Sequence, residues 1–493
     1  MIAPTATAID AAAVLAHLGT PVPRITSDSR AIVPGDAFAA YPGESTDGRT
    51  FIPDALRRGA GSVLWEDAGY EWPAIWRTPN CGIANLKQEL GFIADQVYGH
   101  PSQRLWTVGV TGTNGKTSCA HWIAGALSTL GRTAAVTGTL GNGLYGALEP
   151  ATNTTPDAAA LHEMLRRWSI AGAQSAVIEV SSHGLIQGRV NGVKFDVALF
   201  TNLTRDHLDY HRTMDAYGAA KARLFAWPTL KCVVINAEDP FGQQLIDSCR
   251  NQGLAVLTYG QYMGDITTRN LGLGVNGIAA AVTTPWGKAE FCSQLVGSFN
   301  VSNLLGVLGV LLASEVALED AVAQLACFEP VEGRMQKLGG GGQPLVVVDY
   351  AHTPDALEKV LLALRPVATS RSGRLVVVFG CGGDRDPGKR PQMGAIASRL
   401  ADKVVVTSDN PRGEEPEAII AQIIAGTLDS RARIVRIAGR DAAIAGTIAE
   451  AAESDTVLIA GKGHETYQEV EGVRHEFSDL DHGQVALAAW RRP

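Results

Sequence analysis

Positive charge is in short supply in this sequence: Lys and Arg total 42 against 50 Asp and Glu, a formal net charge of −8. That balance gives no electrostatic reason for nucleic acid or an anionic membrane surface to be the partner, although it leaves room for local basic pockets. Paired cysteines are missing too. The seven cysteines, at 81, 119, 232, 249, 292, 327 and 381, are scattered and lack the CxxC spacing of zinc or redox sites, so a reducing compartment fits best. The longest apolar stretch, around Leu304 to Ala313, is too short to span a bilayer, and the opening MIAPTATAIDAAAVLAHLG lacks the basic segment of a secretory leader. The expectation is a cytoplasmic protein with no membrane insertion and no nucleic-acid partner. Internal repeats and low-complexity tails are also absent.

What is present is an ordinary globular composition, 46% hydrophobic and 19% charged, with a high Gly count of 54 that implies many tight turns. A chain of 493 residues has room for several domains, and its rhythm suggests three. Residues 1–102 read as a small α/β unit, with turn clusters TSDSR (26–30) and YPGESTDGR (41–49), ending at the breaker-rich GHPSQ (99–103). From Leu105, the runs LWTVGV, TAAVTGT, SAVIEV, DVALFTN and KCVVIN alternate with helical patterns, the signature of a parallel α/β sheet. Between Ile266 and Val296 short alternating strands with Asn-Gly and Pro-Trp-Gly turns suggest an antiparallel appendage, with a helix from about Val301 closing a 103–334 domain. Over 335–493 the α/β rhythm restarts as PLVVVDY, RLVVVFG, DKVVVTS, ARIVRIA and DTVLIAG, a second parallel, Rossmann-like sheet.

The strongest chemical signal is TVGVTGTNGKTS (107–118), a buried-strand pattern running into a Gly-rich turn and then an amphipathic stretch. Backbone N–H groups of Gly112, Thr113, Asn114, Gly115, Lys116 and Thr117 can cradle phosphate oxygens at a helix N-terminus. Lys116 would neutralise charge, and the Thr117 hydroxyl would reach magnesium. The spacing is shorter than in the common P-loop: only Thr113 and Asn114 lie between Gly112 and Gly115.

Other polar clusters also follow strands: TGTLGN (137–142), EVSSHG (179–184) and TNLTRDHLDYH (201–211). In a parallel sheet these ends share one edge, so the clusters converge with the phosphate loop on one crevice. Glu179 and His207 become candidate groups at a nucleotide-bound magnesium, which takes hard oxygen ligands and keeps several waters. Plainer readings stand beside these. Glu179 could cap a helix, His207 and His211 could hint at zinc, His183 could be a turn histidine, and Asp206 and Asp209 could be solvated. Lys221, in YGAAKARLF (217–225), reads from its helix alone as a solvated lysine.

The last region repeats the logic with DYAHTPDALE (349–358), CGGDRD (381–386), DNPRGEEP (409–416) and GKGHETY (461–467). Arg385 and Arg412 offer planar forks for carboxylates or phosphates, and Asp409 and Glu465 offer the opposite sign, a set suited to a zwitterion. A surface salt-bridge network is the alternative.

Together TGTNGKT, EVSSHGL with QGR, TNLTRDHLDYH, the AAK helix, SFNVSN, GRM, DYAHTPDAL, GCGGDRD, DNPR and GKGHE resemble the Mur ligases, in order and over nearly the whole chain. The resemblance implies an N-terminal UDP-binding domain, a central ATPase domain and a C-terminal amino-acid-binding domain. It also implies a monomer using ATP and magnesium in peptidoglycan biosynthesis. ATP would phosphorylate the free carboxylate of UDP-N-acetylmuramoyl-L-alanyl-D-glutamate (UDP-MurNAc-L-Ala-D-Glu), and an amine would displace phosphate from that acyl phosphate. By matching position, Lys116, Glu179, His207 and a carbamylated Lys221 would serve catalysis, the last three with Thr117 around metal. Ser118, Asn300, Asn303, Arg334, Asp349 and His352 would join the phosphate loop around ATP. Ser27, Ser29, Glu44, Ser45 and Thr46 would contact the uridine nucleotide, although other members often carry leucine where Ser27 stands. Asn153, Thr154, Thr155, Ser181, Gln187 and Arg189 would contact the muramoyl-peptide part.

Diaminopimelate-adding members carry DNPR at Asp409, Asn410, Pro411 and Arg412, where lysine-adding members differ, so the expected amino acid is meso-diaminopimelate. Arg412 would take its distal carboxylate, with Arg385, Gly461 and Glu465 completing the grip. Against this stand a lysine-adding or folylpolyglutamate-synthase-like ligase, and a non-catalytic nucleotide-binding regulatory protein. DNPR speaks against lysine addition, the first region against folate chemistry, and intact Lys116, Glu179, His207 and Lys221 against loss of catalysis.

Overall fold

The computed structural model describes residues 9–44, 46–274, 277–427 and 431–492, and builds them around three sheets of parallel strands. The first has four short strands in chain order, Ile25–Thr26, Ala37–Ala40, Ser62–Glu66 and Asn80–Ile83, all parallel. Its last helix, Leu86–Val97, turns Leu86, Leu90, Ile93 and Ala94 into a core shared with Ala158 and Ala159 of the next unit.

All five runs read as strands in the central region are strands: Trp106–Thr111, Ala134–Gly138, Ser175–Glu179, Val197–Phe200 and Cys232–Asn236. They pair in parallel, and Ala255–Tyr259 extends them at one edge. Trp106–Thr111 lies between Ser175–Glu179 on one side and Val197–Phe200 on the other, so the chain order reverses across it. Open sheets of this kind bind ligands at such a reversal. Two buried clusters sandwich the sheet: Lys116–Thr129 and Ser298–Ala313 contribute to one, and Ala158–Ile170 and Pro240–Asn251 to the other. Burial on both faces is why the strands are continuous apolar runs rather than alternating ones. TGTLGN is more than a loop. Gly138 pairs with Gly141 across a tight hairpin that adds the antiparallel strands Gly141–Leu144 and Ala147–Glu149.

The expected appendage is a three-stranded antiparallel sheet, Thr267–Gly274, Gly277–Thr284 and Gly287–Ser293. The following helix starts at Ser298, slightly before the expected Val301. Its apolar run is wrapped in the central core, and no helix among the described residues is long and apolar enough to cross a membrane.

The third sheet holds the five anticipated parallel strands, in the spatial order Leu345–Asp349, Thr456–Ala460, Leu375–Phe379, Lys403–Val406, Arg433–Arg436, with Gln336–Gly339 antiparallel at the edge. An exposed hairpin, Tyr467–Val470 with Val473–Glu476, follows the last strand. It docks back through a bridge between Arg412 and Val470.

Candidate active site

Strand Trp106–Thr111 delivers the chain to a turn that only glycine fits. Gly112 has φ 149° and a side chain there would collide with the Thr201 hydroxyl; at Gly115, φ 88°, a Cβ would sit 2.5 Å from Asn303 Oδ1. The turn is clamped from behind: Asn114 N donates to Asn202 Oδ1 (3.0 Å), and Thr201 Oγ1 donates to Asn114 O (2.6 Å). Lys116 and Thr117 then begin a 14-residue helix whose free N–H groups face a cavity of about 460 Å³. Thr113 to Ser118, Asn300, Asn303, Arg334, Asp349 and His352 all line that cavity, together with His207. Gly112 lies behind it.

Beside the loop, Thr117 Oγ1 donates to Glu179 Oε2 at 3.0 Å, and Thr139 N donates to Glu179 Oε1 at 3.0 Å. Arg334 reaches Thr117 Oγ1 from the other side at 3.3 Å and stacks over Tyr350 at 4.3 Å. Burial raises the Glu179 carboxyl above its ordinary range, against the pull of Lys116, Thr139, Thr117 and Arg334. Glu179 caps no helix; Ser181 does that, accepting from Gly184 N.

Thr213 caps the helix Met214–Ala222, which turns Tyr217, Ala220 and Lys221 inward, so Lys221 is 1% exposed rather than solvated. Its Nζ donates to Gly112 O at 2.7 Å and lies 4.5 Å from the Tyr217 ring. Burial, reinforced by Lys116, holds the Lys221 amine well below its ordinary value. His207 is also held neutral, pushed down to about 3 by burial, with Asp206 opposing. Its ring stands 4.8 Å from that of His183. His211 binds Ser182 Oγ (2.9 Å), and no group of three His, Cys, Asp or Glu spaced for a metal occurs among the described residues. Asp206 is buried, 3.4 Å from His207 Nε2 and 3.7 Å from His352 Nε2, so it is not a solvated loop charge.

The muramoyl-peptide candidates form a chain of contacts away from the loop. Thr139 and Thr154 hydroxyls meet at 3.1 Å, Thr155 Oγ1 donates to Glu179 O (2.7 Å) and approaches Ser181 Oγ (3.1 Å). Arg189 donates to Thr155 O (2.7 Å) and to Gln187 Oε1 (2.8 Å), and Gln187 donates to Glu44 Oε1 of the first unit (2.5 Å). Other candidates stand apart. Asn153 is exposed, Ser29 is buried and bonded to Asp54, Ser27 is held by Tyr41 and Asp157, and Thr46 is exposed with its carbonyl bonded to Gly43 N. Ser45 lies outside the described residues.

In the third unit Arg385 and Arg412 flank Gly382, whose missing Cβ would lie 2.8 Å from Arg412 NH1 and 3.8 Å from Arg385 Cγ. Arg412 takes φ 51°, donates to Gly383 O (2.8 Å) and faces Glu469 Oε2 at 3.7 Å. Asn410 Nδ2 donates to Glu465 Oε2 (2.9 Å), and Pro411 is buried beneath. Gly461, φ 119°, lets the chain pass Asp409, where a Cβ would stand 2.6 Å from Oδ2. Asp409 is buried 4.0 Å from Arg440, which forms a fully buried two-point pair with Asp479 (2.6 and 2.7 Å). The alternative of a surface salt-bridge network does not describe Asp409, which is buried against an internal pair, whereas Arg385 is exposed. Bridging the two halves, Arg205 grips Asp386 with two bonds (2.8 and 3.1 Å), Asn114 Nδ2 donates to Asp355 (2.9 Å), and Arg385 approaches Asp209 (3.8 Å).

Sequence reasoning missed Asn202, Asp355, Arg440, Asp479 and Lys462. Asn202, Asp355 and Lys462 carried a signal, each lying within a cluster already noted after a strand; Arg440 and Asp479 did not.

Comparison with known proteins adds three family matches: "Mur ligase family, catalytic domain" over residues 21–98, "Mur ligase middle domain" over 110–311, and "Mur ligase, glutamate ligase domain" over 333–463. A Chromobacterium violaceum protein named UDP-N-acetylmuramoyl-L-alanyl-D-glutamate–2,6-diaminopimelate ligase is 51% identical over 483 residues, 98% of this chain and 97% of its own. A Pseudomonas aeruginosa protein of the same name is 50% identical over 469 residues, 95% and 96% of the two chains. A solved structure of a ligase of that name aligns at TM-score 0.67 and 37% identity over 95% of each chain. MurF ligase from Thermotoga maritima, solved with ADP, shares the fold at TM-score 0.67 and 19% identity, over 94% of this chain and 98% of its own.

Proposed function

The chain belongs to the Mur ligase family, and on that premise we infer that it is an ATP-dependent ligase joining 2,6-diaminopimelate to UDP-N-acetylmuramoyl-L-alanyl-D-glutamate in peptidoglycan synthesis. The observation that carries this reading is the shared cleft. The cavity at the phosphate loop is lined from the third unit by Asp349 and His352, and the loop that carries Arg385 is tied to the central unit by Arg205 on Asp386. ATP enters between Lys116 and Arg334, and the dipeptide end lies along Thr155, Gln187 and Arg189. The proposal gives residues 1–102 the uridine nucleotide, 103–334 ATP and 335–493 the amino acid.

Magnesium suits the donors present. Thr117 and Glu179 offer hard oxygens side by side, and triphosphate and water oxygens would supply the remainder. When bound it would neutralise the phosphates at the point where two anions must meet. Lys116 would hold the transferring phosphoryl group, and Arg334, on Thr117, would steady the cleft's far wall. Burial biases the Lys221 amine towards the unprotonated form, which can react with carbon dioxide to give a carbamate, a further anionic ligand beside His207. The carboxylate of the dipeptide attacks the γ-phosphorus of ATP, and the bridging P–O bond breaks with its electrons leaving on ADP; the incoming amine then attacks the resulting acyl carbon and loses a proton, and the C–O bond breaks with its electrons leaving on phosphate. The amino-acid selection is meso-diaminopimelate, its distal carboxylate on Arg412.

The enzyme is proposed to work as a cytoplasmic monomer, which its free cysteines suit. The test is product mass: ATP, the UDP-dipeptide and meso-diaminopimelate should yield the UDP-dipeptide plus one diaminopimelate less one water. Hydrolysis of ATP without that product would refute the reading.

A further inference from the structure

Beneath the amino-acid loop lies a lysine for which the reading above has no use. Lys462 is fully buried, and its Nζ donates to Asn410 Oδ1 at 2.9 Å and to Glu465 Oε2 at 3.0 Å. Asn410 Nδ2 closes the triangle on the same Glu465 oxygen at 2.9 Å, and Glu469 N adds a bond to Asn410 Oδ1 at 3.0 Å. Two donors therefore hold Glu465 Oε2, while no hydrogen bond reaches Oε1 among the described residues. The carboxylate is thus held through one oxygen, leaving the other free to accept a further bond.

The charges of this floor follow. Glu465, Asp409 and Asp479 face Lys462 and Arg440, leaving one net negative charge; nearby, Arg412 faces Glu469 and Arg385 faces Asp209. Taking away Lys462 would double the negative charge of the floor. A bare ammonium group, as on lysine, gains from a more negative floor. A zwitterionic end, whose carboxylate must sit beside Arg412, gains less and meets repulsion.

We propose that Lys462 is a specificity-determining positioning residue: it fixes Glu465 and Asn410 and tempers their charge, so that an ammonium alone binds poorly and a zwitterionic terminus binds well. This rests on the reading of the chain as a diaminopimelate-adding ligase. Wild-type turnover with meso-diaminopimelate tests that reading separately.

The experiment measures kcat/KM for meso-diaminopimelate and for L-lysine, and the KM for ATP, in wild type, Lys462→Gln and Lys462→Arg. Lys462→Gln should lower the diaminopimelate-to-lysine ratio by about tenfold or more, through a raised diaminopimelate KM, with the ATP KM unchanged. Lys462→Arg, which keeps the charge, should hold the ratio near wild type. A purely structural lysine would lower both amino acids in parallel; an unchanged ratio in soluble Lys462→Gln protein overturns the proposal. Should Lys462→Gln not fold, Lys462→Met supplies the uncharged side chain, judged on the same ratio.

Discussion

Lys221 and Lys116 share one acceptor: their Nζ atoms donate to the carbonyl of Gly112 at 2.7 and 2.9 Å. Burial first, and then the neighbouring Lys116 charge on the same carbonyl, hold the Lys221 amine well below its ordinary value. A buried amine at the phosphate loop, biased towards its neutral form, is the feature from which the catalytic account grows.

Lys221→Ala should therefore reduce kcat by about 100-fold or more, through loss of an anionic group at the metal. Acetate or formate added to that variant should restore part of the rate, by placing a carboxylate in the vacated space. Intact-protein mass spectrometry at high bicarbonate should find one carbon dioxide on the wild type and none on the variant. Steady-state kinetics without rescue, and no mass difference, would argue against a carbamate.

Glu179→Gln keeps the shape and, through its one amide oxygen, the bond accepted from Thr139 N, while removing the charge and the second acceptor that Thr117 uses. The expectation is a fall in kcat of about 100- to 1,000-fold with a raised magnesium requirement and an ATP KM within a few-fold of wild type. Magnesium titrations of phosphate release measure it.

Arg412→Lys should raise the meso-diaminopimelate KM by about 100-fold or more and leave the ATP KM alone, because a lysine cannot reproduce a two-point grip on a carboxylate. The position also has φ 51°, so the fold should be checked by thermal melting alongside. An equal loss for ATP would mean that the loop, rather than the guanidinium, had been damaged.

His121, His211 and His464 are each pushed down to about 4 by burial, from an ordinary value of 6.5. Between those values the unfolded chain binds protons that the folded chain refuses, so stability rises with pH and falls as pH drops from about 6.5 towards 4. His121 is nearly fully buried, and its Nε2 has no hydrogen-bond partner. His121→Asn should flatten the pH dependence of the unfolding midpoint by up to one proton, about 1.4 kcal/mol per pH unit. Denaturant melts at pH 5 and pH 7.5 measure the slope; an unaltered slope would mean that His121 titrates normally.

Much of this site could be read in the linear order because each cluster is short, polar and placed straight after an apolar run. Parallel strands carry such clusters to one edge, so Gly112–Thr117, Glu179 and His207 could be brought together without coordinates. Lys221 could not be read that way. Its helix is polar enough to suggest a wet face, and only packing of Tyr217 and Ala220 turns the lysine inward. Arg440 and Asp479 were hidden for a related reason: a buried charge is intelligible only with its partner, and these two lie 39 positions apart. The hairpins at Gly141–Glu149 and Tyr467–Glu476 contain little strand patterning, because their outer faces are exposed or short. The first unit's Ser29 was chosen by motif position alone, which could not show that it lies in a short helical turn bonded to Asp54.

The most direct test of the account is phosphate release from ATP by the purified protein with UDP-N-acetylmuramoyl-L-alanyl-D-glutamate, comparing meso-diaminopimelate, L-lysine and no amino acid. The account predicts release that depends on meso-diaminopimelate and is weak with the other two. Equal or faster release with L-lysine would contradict the role given to Arg412, and no release under any condition would contradict the ligase reading itself.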